Sequence, residues 1–174
     1  MNKIDLDNLH IVKYPNQVLQ GPCPKIVEFG PELAELAARM FEFMYASRGV
    51  GLAGPQIGVQ LQIFVANPAG QKGQGQEKVY INPVVLEVAG EQTDEEGCLS
   101  LPGVNCKMKR AMTVRLRAQD LQGQEFEETG TGLLARIFQH ETDHLNGVLL
   151  SNRMSALAKL ANRRRLKELQ EGKE

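Results

Sequence analysis

Apolar residues recur at helical spacing from Pro31 to about Ser47, where Leu33, Leu36, Ala37, Met40, Phe41 and Met44 fall on one face of a 3.6-residue repeat. Pro31 suits a first turn, where its missing N–H costs nothing, and Gly49 stands just past the end. This stretch predicts an amphipathic helix whose Met and Phe stripe belongs to the core. Shorter runs follow at Leu61 to Ala66, Lys78 to Val88 and Thr113 to Asp120. In the last of these Val114, Leu116 and Ala118 alternate with polar neighbours, which predicts antiparallel strands with one wet face. The intervening GQKGQGQEK stretch reads as an exposed hairpin loop rather than a linker. A second helix is predicted from near Gly132 to Gly147, carrying Leu133, Leu134, Ile137, Phe138 and Leu145 toward the core. A last helix is predicted over roughly Met154 to Gln170 and carries the basic run Arg163, Arg164, Arg165 and Lys167.

The chain has 174 residues, a length that fits one domain with a sizeable core and one catalytic cleft. Its net charge of −1, with 42% hydrophobic and 24% charged residues, excludes a polycation built to wrap DNA and an acidic disordered tail. No segment approaches the roughly 18 uninterrupted apolar residues of a membrane span, and the N-terminus carries no visible targeting signal. Three cysteines, Cys23, Cys98 and Cys106, make an odd count that argues for a reducing compartment rather than a disulfide framework.

The chemistry concentrates in the second predicted helix, at His140-Glu141-Thr142-Asp143-His144. Two histidines four residues apart lie about 40° apart around a helix axis, one turn above the other, so both imidazoles can reach one metal ion. Glu141 projects beside them, where a carboxylate can take a proton from an activated water without being a ligand. Only three histidines occur in the chain, and two fall in this window. The third ligand separates the enzyme classes. The extended metallopeptidase pattern would place a histidine where Leu150 stands. Glu168, on the final helix, reads as solvated, and His10 as a surface imidazole. Cys98 is the better candidate, because Glu96-Gly97-Cys98-Leu99-Ser100 is turn-like and a metal would bind its sulfur as thiolate. Cys23 and Cys106 read as buried thiols without chemistry, and Asp143 either pairs with an arginine such as Arg110 or faces water.

Three segments now stand in order: Gly49-Val50-Gly51-Leu52-Ala53-Gly54-Pro55-Gln56, then Glu96-Gly97-Cys98-Leu99-Ser100, then Gln139-His140-Glu141-Thr142-Asp143-His144-Leu145. Together they resemble the peptide deformylases, in particular the bacterial type I branch, and the resemblance covers nearly the whole chain. It implies an α+β fold with antiparallel sheets packed around the central HExxH helix, an N-terminal amphipathic helix and a C-terminal helix. It also implies hydrolytic removal of the formyl group from N-terminal formyl-methionine, with release of formate. Cys98, His140 and His144 become the metal ligands with a fourth position left for water, and Fe(II) the physiological ion, with zinc, nickel or cobalt able to substitute. Glu141 becomes the general base and acid, while the Gln56 side chain and the Leu99 backbone N–H hold the developing oxyanion.

The same resemblance implies that Val50, Leu133, Ile137 and the carbon faces of His140 line a methionine pocket. Gly97 and the Gly49-Val50-Gly51 segment would flank the substrate backbone, which pairs there as an added strand. Two departures stand out. Gly54 replaces an alanine common in the family, which removes a methyl near the substrate strand. Asn105 occupies a position where some members carry a peptide-contacting arginine. Expected partners are an N-formylmethionyl peptide and, through the basic C-terminal helix, the ribosome, in a bacterial cytoplasm. A catalytically silent ribosome-associated relative and a metallopeptidase are the alternatives.

Overall fold

The computed structural model describes residues 4–173. Helix α1 (Pro31–Ala46) leads into strands β1 (Gly51–Ala53), β2 (Ile63–Ala66), β3 (Lys78–Ala89), β4 (Gln92–Gly97), β5 (Asn105–Arg110), β6 (Thr113–Gln119) and β7 (Glu125–Thr131). Helix α2 (Leu133–Leu145) follows, then α3 (Leu150–Arg153), α4 (Ala156–Ala161) and α5 (Arg163–Gln170). Five strands form one antiparallel sheet in the order β1-β2-β3-β6-β7, and β4 pairs with β5 as a separate hairpin. The fold is α+β, as expected.

The sheet lies between two helices, and this explains β2. Ile63 and Val65 join the cluster of α1 with Leu36, Met40 and Met44, whereas Phe64 and Ala66 join Tyr80, Leu116 and Phe138 under α2. All four residues are buried, so the expectation of one wet face fails for β2, whose unbroken apolar run reflects cover on both sides. It holds for β6, where Val114, Leu116 and Ala118 are buried and Arg117 is exposed. The glycine and glutamine stretch joins β2 to β3 in a hairpin with Ala66 opposite Lys78. Asn67 organises that loop, its Nδ2 donating to the carbonyls of Gln71 and Gln74.

Helix α2 spans the predicted positions and ends at Gly147, which takes the left-handed conformation at φ 71°. Its apolar face is not as expected throughout: Leu133 is 46% exposed and sits at the rim of a cleft instead of in the core. The predicted C-terminal helix is also corrected. Met154 is extended, Ser155 caps α4 through its Oγ, and the helix breaks at Asn162, whose Nδ2 donates to the carbonyls of both Ala158 and Asn105. Leu169 of α5 packs with Leu101, Val104, Cys106 and Met108, so the C-terminal elements cover the β4–β5 hairpin.

Candidate active site and metal centre

Helix α2 presents His140 and His144 with ring centroids 5.0 Å apart, and Cys98 enters from the turn that follows β4. Cys98 Sγ lies 3.2 Å from His144 Nε2, and one donor atom from each of the three residues falls within 4.8 Å of the others. Burial alone would raise the Cys98 pKa, but the facing imidazoles of His144 and His140 hold the thiol down to about 5. The sulfur is thus poised as thiolate at neutral pH. Cys23 and Cys106 are buried free thiols, and burial pushes Cys23 up to about 11. His10 is exposed, with Nδ1 against the Asn8 carbonyl, and Glu168 is engaged by Arg164 and Arg165. Leu150 is buried among Leu149, Met154 and Leu169.

Glu141 is buried at 4% exposure, its Oε2 has no hydrogen-bond partner, and burial pushes its pKa up. A Cβ on Gly51 would lie 2.6 Å from Glu141 Oε1 and 2.9 Å from Ile137 Cγ2, so only glycine lets β1 pass this close to the carboxylate. Gln56 stands in the short helical turn Gly54–Ile57 after β1. Its Oε1 accepts from the Ala53 backbone N–H at 2.8 Å, which fixes the amide so that Nε2 faces Cys98 Sγ at 3.8 Å. These side chains open into a cleft of about 490 Å³, a size suited to a small ligand. Val50, Gly51, Leu99, Gly97, Leu133 and Ile137 line it, together with Gln56, Cys98, His140 and Glu141. A larger hollow of about 670 Å³, walled by Ile4, Leu9, Pro24, Ile26, Val27 and Leu61, contains none of these groups.

Behind the histidines lies a charged network that sequence reasoning only touched. Glu96 accepts from Arg110 Nε and Nη2 at 3.0 Å each and from Arg136 Nη1 at 2.6 Å, and its Oε2 lies 3.1 Å from His140 Nδ1. Burial would raise the Glu96 pKa, but His140 and Arg110 bring it down to about 2. Asp143 faces protein rather than water, accepting from Arg110 Nη1 at 2.7 Å and Arg153 Nε at 2.6 Å. The network fixes the His140 ring so that its other nitrogen points into the cleft, the usual way an orienting carboxylate prepares a ligating imidazole. Glu96 stands in the Cys98 motif, but its ion pairs, like the role of Arg136, are not legible there because a buried charge has no signature in apolar periodicity. The alternation of Cys106, Met108 and Arg110 with Asn105, Lys107 and Lys109 does put Arg110 on the inner face of β5, where it needs acidic partners.

Both sequence departures have local explanations. A Cβ at Gly54 would meet the carbonyl oxygens of Val59 at 2.7 Å and Leu61 at 3.1 Å, so the missing methyl faces the following turn and not the cleft. Asn105 pairs with Gly97 across the hairpin and is not among the residues lining the cleft. A thiolate and two imidazoles converging beside a buried carboxylate fit a divalent transition metal with an open position.

A polypeptide deformylase family model matches residues 8–160. A peptide deformylase of Acidobacterium capsulatum is 46% identical over 92% of this chain and 94% of its own length. A chloroplastic peptide deformylase 1B of Oryza sativa is 43% identical over 93% of this chain and 61% of its own. A plant peptide deformylase crystal structure superposes with a TM-score of 0.92 at 39% identity, covering 94% of this chain and 90% of that one. With the Cys98, His140 and His144 cluster in place, these matches establish that the chain belongs to the peptide deformylase family, hydrolases that remove the formyl group from the N-terminus of nascent polypeptides.

Proposed function

We propose that this chain works as one catalytic unit in which Glu141 is the general base and then the general acid of deformylation. The observation that carries the assignment is the buried, unpartnered Glu141 Oε2 beside the three-donor cluster, with the Gln56 amide already aimed at the same point. Glu141 takes a proton from the attacking water and later delivers it to the departing amine nitrogen of methionine. Charge develops on the formyl oxygen during attack, and Gln56 Nε2 and the Leu99 backbone N–H receive it; losing one such donor typically costs about 3 to 4 kcal/mol of barrier. Val50, Leu133 and Ile137 form an apolar slot for the methionine side chain, which suits an unbranched thioether. The substrate backbone adds to the edge of β1 between Gly51 and the Gly97 wall, so recognition beyond methionine rests largely on main-chain bonds.

A divalent cation held by Cys98, His140 and His144 supplies Lewis acidity to the water and the carbonyl. Fe(II) is the proposed physiological ion, with zinc, nickel or cobalt able to substitute, because sulfur with imidazole suits all of them. Protein reconstituted anaerobically with Fe(II) is expected to release one formate per formyl-methionyl peptide and to exceed the zinc form in kcat/KM. Zinc protein at least as active as iron protein would overturn the choice of ion. Cleavage of an internal peptide bond with no formate release would make the chain a metallopeptidase.

The proposed setting is a reducing bacterial cytoplasm, which the three free thiols and the Acidobacterium relative support. Contact with ribosomal RNA is proposed for the last two helices, where Arg163, Arg164 and Lys167 are exposed beside Leu157 and Leu160. Deleting these helices would remove Leu169 and uncover Leu101, Val104, Cys106 and Met108, so the informative variant changes Arg163, Arg164 and Lys167 together to glutamine. Salt-sensitive cosedimentation with ribosomes is expected for the native chain and a loss of about tenfold for the variant. Equal binding by both would reject the contact.

A further inference from the structure

Helix α1 ends in a hydrogen-bonding pattern that ordinarily calls for glycine. Beyond the cap residue Ser47, the Arg48 N–H donates to Tyr45 O at 2.9 Å and the Gly49 N–H to Met44 O at 2.8 Å, which is the paired closure of a Schellman turn. The residue in the left-handed position is Arg48, at φ 55°. A side chain with a Cβ is strained there, and strain of this kind is a reason to look for what the side chain does.

Arg48 is exposed and lines the active cleft. Among the described residues no carboxylate forms an ion pair with it, whereas Arg136, the other arginine lining the cleft, is buried against Glu96. Its place along the strand edge is set by β1. A Cβ on Gly51 would collide with the Glu141 carboxylate, which marks the reacting end, and Arg48 precedes Gly51 by three residues, at the turn that closes α1. A substrate strand paired to this edge, with its formyl group at Glu141, runs on past Gly51 toward the guanidinium with the residues that follow methionine. The facing wall carries one exposed carboxylate, Glu95, at the end of β4.

Resting on the deformylase reading, we infer that Arg48 is a specificity-determining residue that selects nascent chains with aspartate or glutamate at the second and third positions after formylation, and disfavours lysine and arginine there. The contact lies at a solvent-open rim, so the discrimination is modest, sensitive to ionic strength and expressed in KM.

The test uses metal-loaded full-length protein and three formyl-methionyl tripeptide amides carrying alanine, aspartate or lysine at the two following positions. The native chain is expected to favour the aspartate over the lysine peptide by about fivefold in kcat/KM at low salt, with the ratio shrinking as salt rises. Arg48→Gly should bring the ratio to about one without lowering the thermal midpoint, since glycine is at ease in the left-handed position. Arg48→Glu should invert it. A native ratio near one, or a preference that survives in Arg48→Gly, would overturn the assignment. Formate release from the alanine peptide reports on the deformylase reading and the aspartate-to-lysine ratio on Arg48, so the two can fail separately.

Discussion

Glu141→Gln lowers kcat by about 10³-fold while the protein keeps its metal, because the amide preserves the size and packing of the side chain against Gly51 but cannot accept the proton of the attacking water. Metal analysis and a formate assay on one preparation check both halves of this expectation. The metal content matters as much as the rate. Loss of activity with loss of metal would mean that Glu141 holds the site together, and full activity with metal bound would remove it from the proton path. KM for the peptide should change little, since the carboxylate acts on the water and the leaving nitrogen rather than on the methionine slot.

Arg110→Met destabilises the fold by about 3 to 5 kcal/mol, the usual cost of removing one partner from a buried ionic cluster. Its guanidinium bridges Glu96 and Asp143, all three groups are buried, and methionine would leave two carboxylates facing one another without it. In a chain of this length that corresponds to a drop in thermal midpoint of roughly 10 °C. Glu96 also steers His140, so metal affinity should fall by about 10-fold to 100-fold. Thermal unfolding with excess metal and metal titration of the folded protein at low temperature separate the two effects. A variant with native stability would show that Arg136 and Arg153 suffice to hold the carboxylates.

The parts of this molecule legible in its sequence are those that repeat or that match a motif. Helix α1 announces itself through Leu33, Leu36, Met40 and Met44, and α2 through the spacing of His140 and His144 within an apolar pattern. The β4–β5 hairpin does not, because Gln92–Gly97 contains no large apolar residue and its inward group is the charged Glu96. Burial there is secured by ion pairs, which depend on residues 14, 40 and 44 positions away in the chain and leave no local trace. Strand β1 is too short for any period to emerge and was visible only as part of a glycine-bearing motif. Arg48 gave no signal either, since a backbone angle is not written in composition.

A sheet that keeps one edge open to receive a substrate strand exposes itself to the wrong strands as well, including those of its own unfolded copies. The order β1-β2-β3-β6-β7 leaves β1 and β7 as the two edges. β1 offers only three residues, too few to nucleate a growing ribbon, and β7 carries Glu125 and Glu127 as exposed charges that repel a like strand, while Glu128 is tied to Lys78 and Tyr80. If substrate docks on β1 as proposed, the enzyme can hold out that edge for nascent chains while giving aggregation little to build on.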